Sequence, residues 1–167
     1  MKNSINEYKA LYGNKGLLTF VFAIKCRMIQ PSFNALVLIR EMHSCKSELK
    51  KIIIHNKLIK KYSIEISSKA KIGMRFRIEH MAGIVIGAGA VIGNDVTIYQ
   101  NVTIGQKNGQ YPQIMDNVTL YAGAKVLGNI TVGENSVIGA NAVVLSDIPA
   151  NVVVAGIPAR IVKGNNK

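Results

Sequence analysis

The feature that most constrains this chain is an aliphatic residue that returns at every sixth position. It occupies Ile66, Ile72 and Ile78. After a two-residue slip it occupies Ile86, Ile92, Ile98 and Ile104. After a longer interruption it occupies Ile114, Leu120, Val126, Val132, Ile138 and Val144. Gly often follows directly, as at Gly73, Gly87, Gly93, Gly105, Gly133 and Gly139, and a small or β-branched residue stands four places on, as at Ala70, Ala90, Val96, Val118 and Ala142. A helix repeats its buried face every 3.6 residues and a strand every two, so a period of six fits neither. It is the period of a parallel β-helix, in which each hexad supplies one short strand and one turn. The aliphatic residue points inward, and the turns use Gly, Asn and Asp because these tolerate positive φ. Three hexads make one triangular coil, so the thirteen hexads give a little over four coils, about 20 Å of prism at ~4.8 Å per coil.

The flanks differ in texture. Residues 1–16 are polar and read as a short helix or arm, and residues 17–30 read as an apolar-basic helix that Pro31 interrupts. From Ser32 to Lys61 the apolar residues follow helical spacing with lysines opposite, broken near His43-Ser44-Cys45. The expected fold is therefore mostly β, with a basic α-helical region over 1–61 and a β-helix over 62–167. The hexads stop near Asp147, and the Val run and prolines that follow suggest a cap on the open end of the core.

Charge follows the same division. Residues 1–77 hold 16 Lys/Arg and 4 Asp/Glu, a net of +12, and residues 78–167 hold 5 of each. Such a block can face an anionic membrane or an acidic glycan, or it can be a solvated helical face. No motif or aromatic platform supports nucleic-acid binding. The run Leu18-Thr19-Phe20-Val21-Phe22-Ala23-Ile24, with Leu17 before it, is ended by Lys25 and Arg27, short of the ~20 residues of a spanning helix. It also starts late for a signal peptide. The expected location is the cytoplasm, at most at the inner face of a membrane. Cys26 and Cys45 lack metal-site spacing and read as free thiols.

His80 lies in the two-residue slip, in Ile78-Glu79-His80-Met81-Ala82-Gly83-Ile84-Val85-Ile86-Gly87. A hydroxyl is a poor nucleophile until a base takes its proton, and an imidazole, titrating near about 6.5, is suited to that task. His43 and His55 fall in the helical region and read as surface or structural residues. The longer interruption, Gln106-Lys107-Asn108-Gly109-Gln110-Tyr111-Pro112-Gln113, is an insertion of the kind that maps to a binding face.

The hexads and the His80 stretch, together with Val102-Thr103-Ile104-Gly105, Gly123-Ala124-Lys125-Val126-Leu127-Gly128-Asn129-Ile130 and the closing Gly156-Ile157-Pro158-Ala159-Arg160-Ile161-Val162-Lys163, carry a resemblance. From Ile64 to Lys163 the chain resembles the hexapeptide-repeat acyltransferases, most closely the serine acetyltransferases and their relatives from surface-polysaccharide gene clusters. The resemblance implies a left-handed β-helix, against the usual right-handed crossover. It implies a homotrimer with acetyl-coenzyme A between neighbouring prisms and no metal. It makes His80 the general base, with Glu65 at the position of the carboxylate that orients it. It puts the coenzyme against Gly105, Ala122 and Ala140, with Arg160 and Lys163 available to its phosphates.

The acceptor side departs from a serine acetyltransferase. The aspartate expected before the catalytic His is Glu79, and an expected Arg-His-Pro in the loop reads Gln110-Tyr111-Pro112. Gln cannot form the charge-assisted fork that a carboxylate invites. Glu79, Gln110 and Tyr111 are the candidate acceptor residues, and Tyr99, Gln106 and Asn108 are also of the kind that holds sugar hydroxyls. The expected activity is acetyl transfer from acetyl-coenzyme A to a hydroxyl of a sugar or polysaccharide. The alternatives are serine O-acetylation in cysteine synthesis and a non-catalytic scaffold. A zinc enzyme on the same solenoid would need three His ligands converging on one axis.

Overall fold

The computed structural model describes residues 2–14, 16 and 18–165. Leu17, at the head of the early apolar run, and Asn166 and Lys167, at the end of the expected β-helix span, lie outside the described residues. Four helices come first: α1 (Lys2–Tyr12), α2 (Leu18–Ile29), α3 (Pro31–Ser44) and α4 (Glu48–Tyr62). Pro31 separates α2 from α3 and occupies the first turn of α3, where its missing N–H has no partner to lose. Ser47 caps α4 by accepting from the Lys50 N–H, Glu48 sits in its first turn and Lys60 and Lys61 in its last, all aligned with the helix dipole. Among the described residues no helix is long and apolar enough to cross a membrane.

Fourteen strands then wind as a parallel β-helix, and a fifteenth closes it. The first coil is β1 (Ile64–Ile66), β2 (Lys71–Ile72) and β3 (Arg77–Ile78). The second is β4 (Ile84–Ile86), β5 (Val91–Ile92) and β6 (Thr97–Ile98). The third is β7 (Thr103–Gly105), β8 (Gln113–Ile114) and β9 (Thr119–Leu120). The fourth is β10 (Lys125–Leu127), β11 (Thr131–Val132) and β12 (Val137–Ile138), and the fifth contains β13 (Val143–Val144) and β14 (Val152–Ala155). Each face is one parallel sheet, and β15 (Arg160–Gly164) returns antiparallel on β14.

Register places the hexad aliphatics in three inward columns. Ile66, Ile86, Ile104, Val126 and Val144 stack on one face. Ile72, Ile92, Ile114, Val132 and Ile148 stack on the second, and Ile78, Ile98, Leu120, Ile138 and Val154 on the third. The prism thus has five coils rather than a little over four. The last coil escapes the six-residue count because its first corner is two residues short, from Val144 to Ile148. Register is kept there by the pairing of Ile148 with Val132.

Both open ends of the core are covered. Leu36, Leu38, Ile39, Met42, Ile54, Leu58 and Tyr62 of α3 and α4 are buried in one cluster with Ile64, Ile66 and Phe76. Carbonyls on the free edge of the first coil are also met: Arg40 donates to Ile72 O at 2.7 Å and Gly73 O at 2.5 Å. His55 lies 3.2 Å from Ile66 O and His43 3.4 Å from Ser67 O. The two histidines expected to be structural are edge caps, which blunt a strand edge that would otherwise recruit another chain. At the other end β15 pairs with β14, and the turn before it closes on β13, where the buried Ala159 donates its N–H to Val143 O at 2.8 Å.

Candidate active site at one corner of the prism

The corner that joins the third face to the first carries His80. In the first coil this corner is lengthened by two residues, over Glu79–Gly83, and the extra length pushes His80 out into solvent. Below it the backbone forms a regular column. Asn101 N–H donates to Ala82 O (2.7 Å), Gly123 N–H to Gln100 O (2.9 Å) and Asn141 N–H to Ala122 O (2.9 Å). The left-handed residues of the column alternate as Gly83, Asn101, Gly123 and Asn141. A Cβ at Gly83 would strike the Asn101 side-chain oxygen, and one at Gly123 the Asn141 oxygen. Each Asn side chain therefore occupies the space that the Gly above it leaves.

His80 makes a ring contact with Tyr99 (centroids 6.0 Å apart, tilted 56°), and Tyr99 stacks on Tyr121 (5.0 Å, 26°). Ala122 and Ala140 lie one coil apart further down the same corner. Gln100 sits between them and His80, with its side-chain oxygen buried and without a hydrogen-bond partner among the described residues. Base and small-residue stripe thus share one edge of the prism.

The other candidates are dispersed. Glu65 points outward from β1, opposite Val85, and borders a cleft with His55, Ser67 and Tyr111. It makes no hydrogen bond to His80 in this structure. Gly105, Gln110 and Tyr111 belong to the next corner, between the first and second faces. There the insertion folds as a tight hairpin: Lys107 and Gln110 exchange backbone hydrogen bonds (3.0 and 3.2 Å) around Asn108 (φ 55°) and Gly109 (φ 79°). Two successive positive φ values match a two-residue turn to strand twist. Gln106 Oε1 accepts from Gly109 N–H at 2.7 Å. The Tyr111 ring lies so close over Gly87 and Gly89 that a Cβ on either would overlap it, so this tyrosine anchors the hairpin. Arg160 and Lys163 are exposed on β15, at the far end from His80, and Arg160 Nη1 donates only to the Ala159 carbonyl.

Arg77 escaped sequence reading, although its neighbour Glu79 is one of the candidate acceptor residues. Arg77 and Glu79 flank the inward Ile78 and project outward together, and both border a cleft of about 340 Å³ between β3 and the helices. Tyr12 from α1 and Gln30 and Ser32 from the α2–α3 junction line its other side. The side chains of Arg77 and Glu79 have no hydrogen-bond or ion-pair partner among the described residues. Burial pushes the Tyr12 phenol up; the neighbouring Cys26 adds to this, the Arg77 charge opposes it and Glu79 reinforces it. The alternation Arg77-Ile78-Glu79 does signal two outward charges, but only packing of the helices makes a cleft around them. Among the described residues no cluster of three or more His, Cys, Asp or Glu is placed to hold a metal.

Comparison with known proteins agrees with the β-helix and its N-terminal helices. Residues 111–146 match the family described as bacterial transferase hexapeptide (six repeats). The chain is 51% identical over 108 residues to the serine acetyltransferase of Bacillus subtilis (strain 168), covering 62% of this chain and 50% of that protein. Among solved structures it is similar to serine acetyltransferase from Brucella abortus strain S19 (TM-score 0.82, 30% identity, 98% of this chain and 69% of that one). It is also similar to a serine acetyltransferase in complex with CoA (TM-score 0.80, 33% identity, 96% and 68%). The chain spans about half the length of the curated relatives it matches.

Proposed function

This chain belongs to the hexapeptide-repeat acetyltransferases, and from that premise we propose that it moves an acetyl group from acetyl-coenzyme A to the hydroxyl of L-serine. The observation that carries the reading is the shared corner: an exposed imidazole at its head and Ala122 and Ala140 beneath it. His80 takes the acceptor hydroxyl proton as the oxygen attacks the thioester carbonyl. The tetrahedral intermediate collapses with loss of the coenzyme thiolate, and the imidazolium returns the proton to that sulfur. Small side chains down the corner let a pantetheine arm lie against the backbone, and Arg160 and Lys163 are cations available to phosphates at the far end.

Serine has more support as acceptor than the sugar or polysaccharide suggested by the loop composition, because the relatives are serine acetyltransferases and Tyr111 is engaged in packing on glycines. The site residues are divided between two corners, which supports a homotrimer in which the His80 corner of one copy faces the hairpin corner of the next. Glu65 keeps its proposed part as orienting carboxylate on sequence position alone. Loss of kcat in Glu65→Gln at unchanged KM would support it.

The test is thiol release from acetyl-coenzyme A with L-serine and, separately, a panel of sugars and oligosaccharides. Release with serine that disappears in His80→Ala is the expected result. Turnover only with a saccharide would replace the acceptor, and turnover surviving in His80→Ala would remove the mechanism.

A further inference from the structure

We propose that the cleft between β3 and the helices is the acceptor subsite, and that Arg77 holds the carboxylate of an amino-acid acceptor. This rests on the serine reading above, and it supplies the charge-assisted fork that Gln110 cannot form.

Two side-chain charges stand unpaired among the described residues. Arg77 and Glu79 leave the same face of one strand segment, two residues apart, hence about 6.6 Å between their Cα atoms at ~3.3 Å per residue. They do not pair with each other in the structure, although a guanidinium and a carboxylate so placed have reach enough to meet. Both instead border a concave cleft of about 340 Å³, walled by Tyr12, Gln30 and Ser32. One cation and one anion on one wall of a small polar cleft are the complement of a zwitterion. A guanidinium presents two parallel N–H donors to a carboxylate, while the Glu79 carboxylate suits an ammonium. Glu79 is followed directly by His80, so an α-amino acid held between the two charges directs its side-chain hydroxyl toward the imidazole. A neutral sugar can hydrogen-bond to both groups but brings a counter-charge to neither. Arg77 is exposed, and its side chain forms no hydrogen bond or ion pair among the described residues.

The experiment compares L-serine with serinol, which keeps the ammonium and hydroxyl but lacks the carboxylate, in wild type, Arg77→Gln and Arg77→Lys. In Arg77→Gln, KM for serine is expected to rise tenfold or more with a smaller change in kcat. The preference of kcat/KM for serine over serinol should collapse by a similar factor, and Arg77→Lys should restore part of it. The same comparison by isothermal titration of L-serine reads the subsite without turnover, tenfold weaker binding in Arg77→Gln being expected. Serine turnover with KM and binding unchanged in Arg77→Gln overturns the subsite and leaves the serine reading standing. Wild-type turnover on a saccharide and none on serine, or no serine binding by wild type, overturns both.

Discussion

At the residue scale, the His80 corner depends on an alternation of Gly and Asn that no single position reveals. Gly123 has φ +75°, and the Asn141 side chain fills the space where its Cβ would stand. Gly123→Ala is therefore expected to cost about 1–2 kcal/mol for the left-handed backbone alone, and more for the overlap. In an Asn141→Gly background the overlap is gone and only the backbone cost remains. Denaturant midpoints of the four variants in a double-mutant cycle should show this non-additivity. His43 supplies a second test. Burial pulls its imidazole below the ordinary 6.5, against the hydrogen bond to Ser67 O, with the Arg40 and Lys51 charges lowering it further. The fold prefers the neutral ring, so its contribution is full above about pH 6.5 and is lost as pH falls, because the unfolded chain takes up the proton first. Thermal midpoints should drop between pH 7.5 and 5.5, and His43→Gln, which can still donate to Ser67 O, should flatten that part of the profile. Glu7 works in the opposite sense, since burial raises its carboxyl despite Arg40.

At the element scale, the helices and the solenoid are joined by one side chain. Arg40 of α3 pairs with Glu7 of α1 at 3.0 Å and donates to two carbonyls on the free edge of the first coil. Glu7 is buried, and its second oxygen has no hydrogen-bond partner among the described residues. Removing the arginine alone strands that carboxylate, whereas removing both charges does not. Arg40→Met is expected to cost about 3–5 kcal/mol, and Glu7→Gln/Arg40→Met less than the single variant, as read by urea unfolding. None of this was visible in the sequence, where Glu7, Arg40 and the turn at Gly73 are unrelated positions. The hairpin was half legible. Its length and Asn108-Gly109 marked a turn on one face, but the seating of Tyr111 on Gly87 and Gly89 required the register between coils.

At the scale of the whole molecule, five coils share three inward columns, and each coil is held by its neighbours. Ile138→Ala removes fully buried volume from the fourth coil, a change of about 2–5 kcal/mol. Because contacts are nearest-neighbour, the loss should stay local. Amide exchange is expected to accelerate in the strands around β12 and β14 while β1, β4 and β7 keep their protection. Uniform acceleration along the chain would mean the prism unfolds as one unit. Charge is divided along the same axis, with the excess of cations at the helical end and the first coils.

The sequence by itself determined the β-helix, its hexad columns, the helix break at Pro31 and the prominence of His80. Each of these is local or strictly periodic, and a repeat announces its own neighbours. The tertiary structure alone decided the rest. It added a fifth coil where a shortened corner hid the period. It distributed His80, Glu65 and Gln110 over different faces, because side chains fifteen or thirty residues apart are oriented by which corner they turn. It also set Arg77 and Glu79 at the border of a cleft, because the second wall comes from helices whose packing no spacing in the chain encodes.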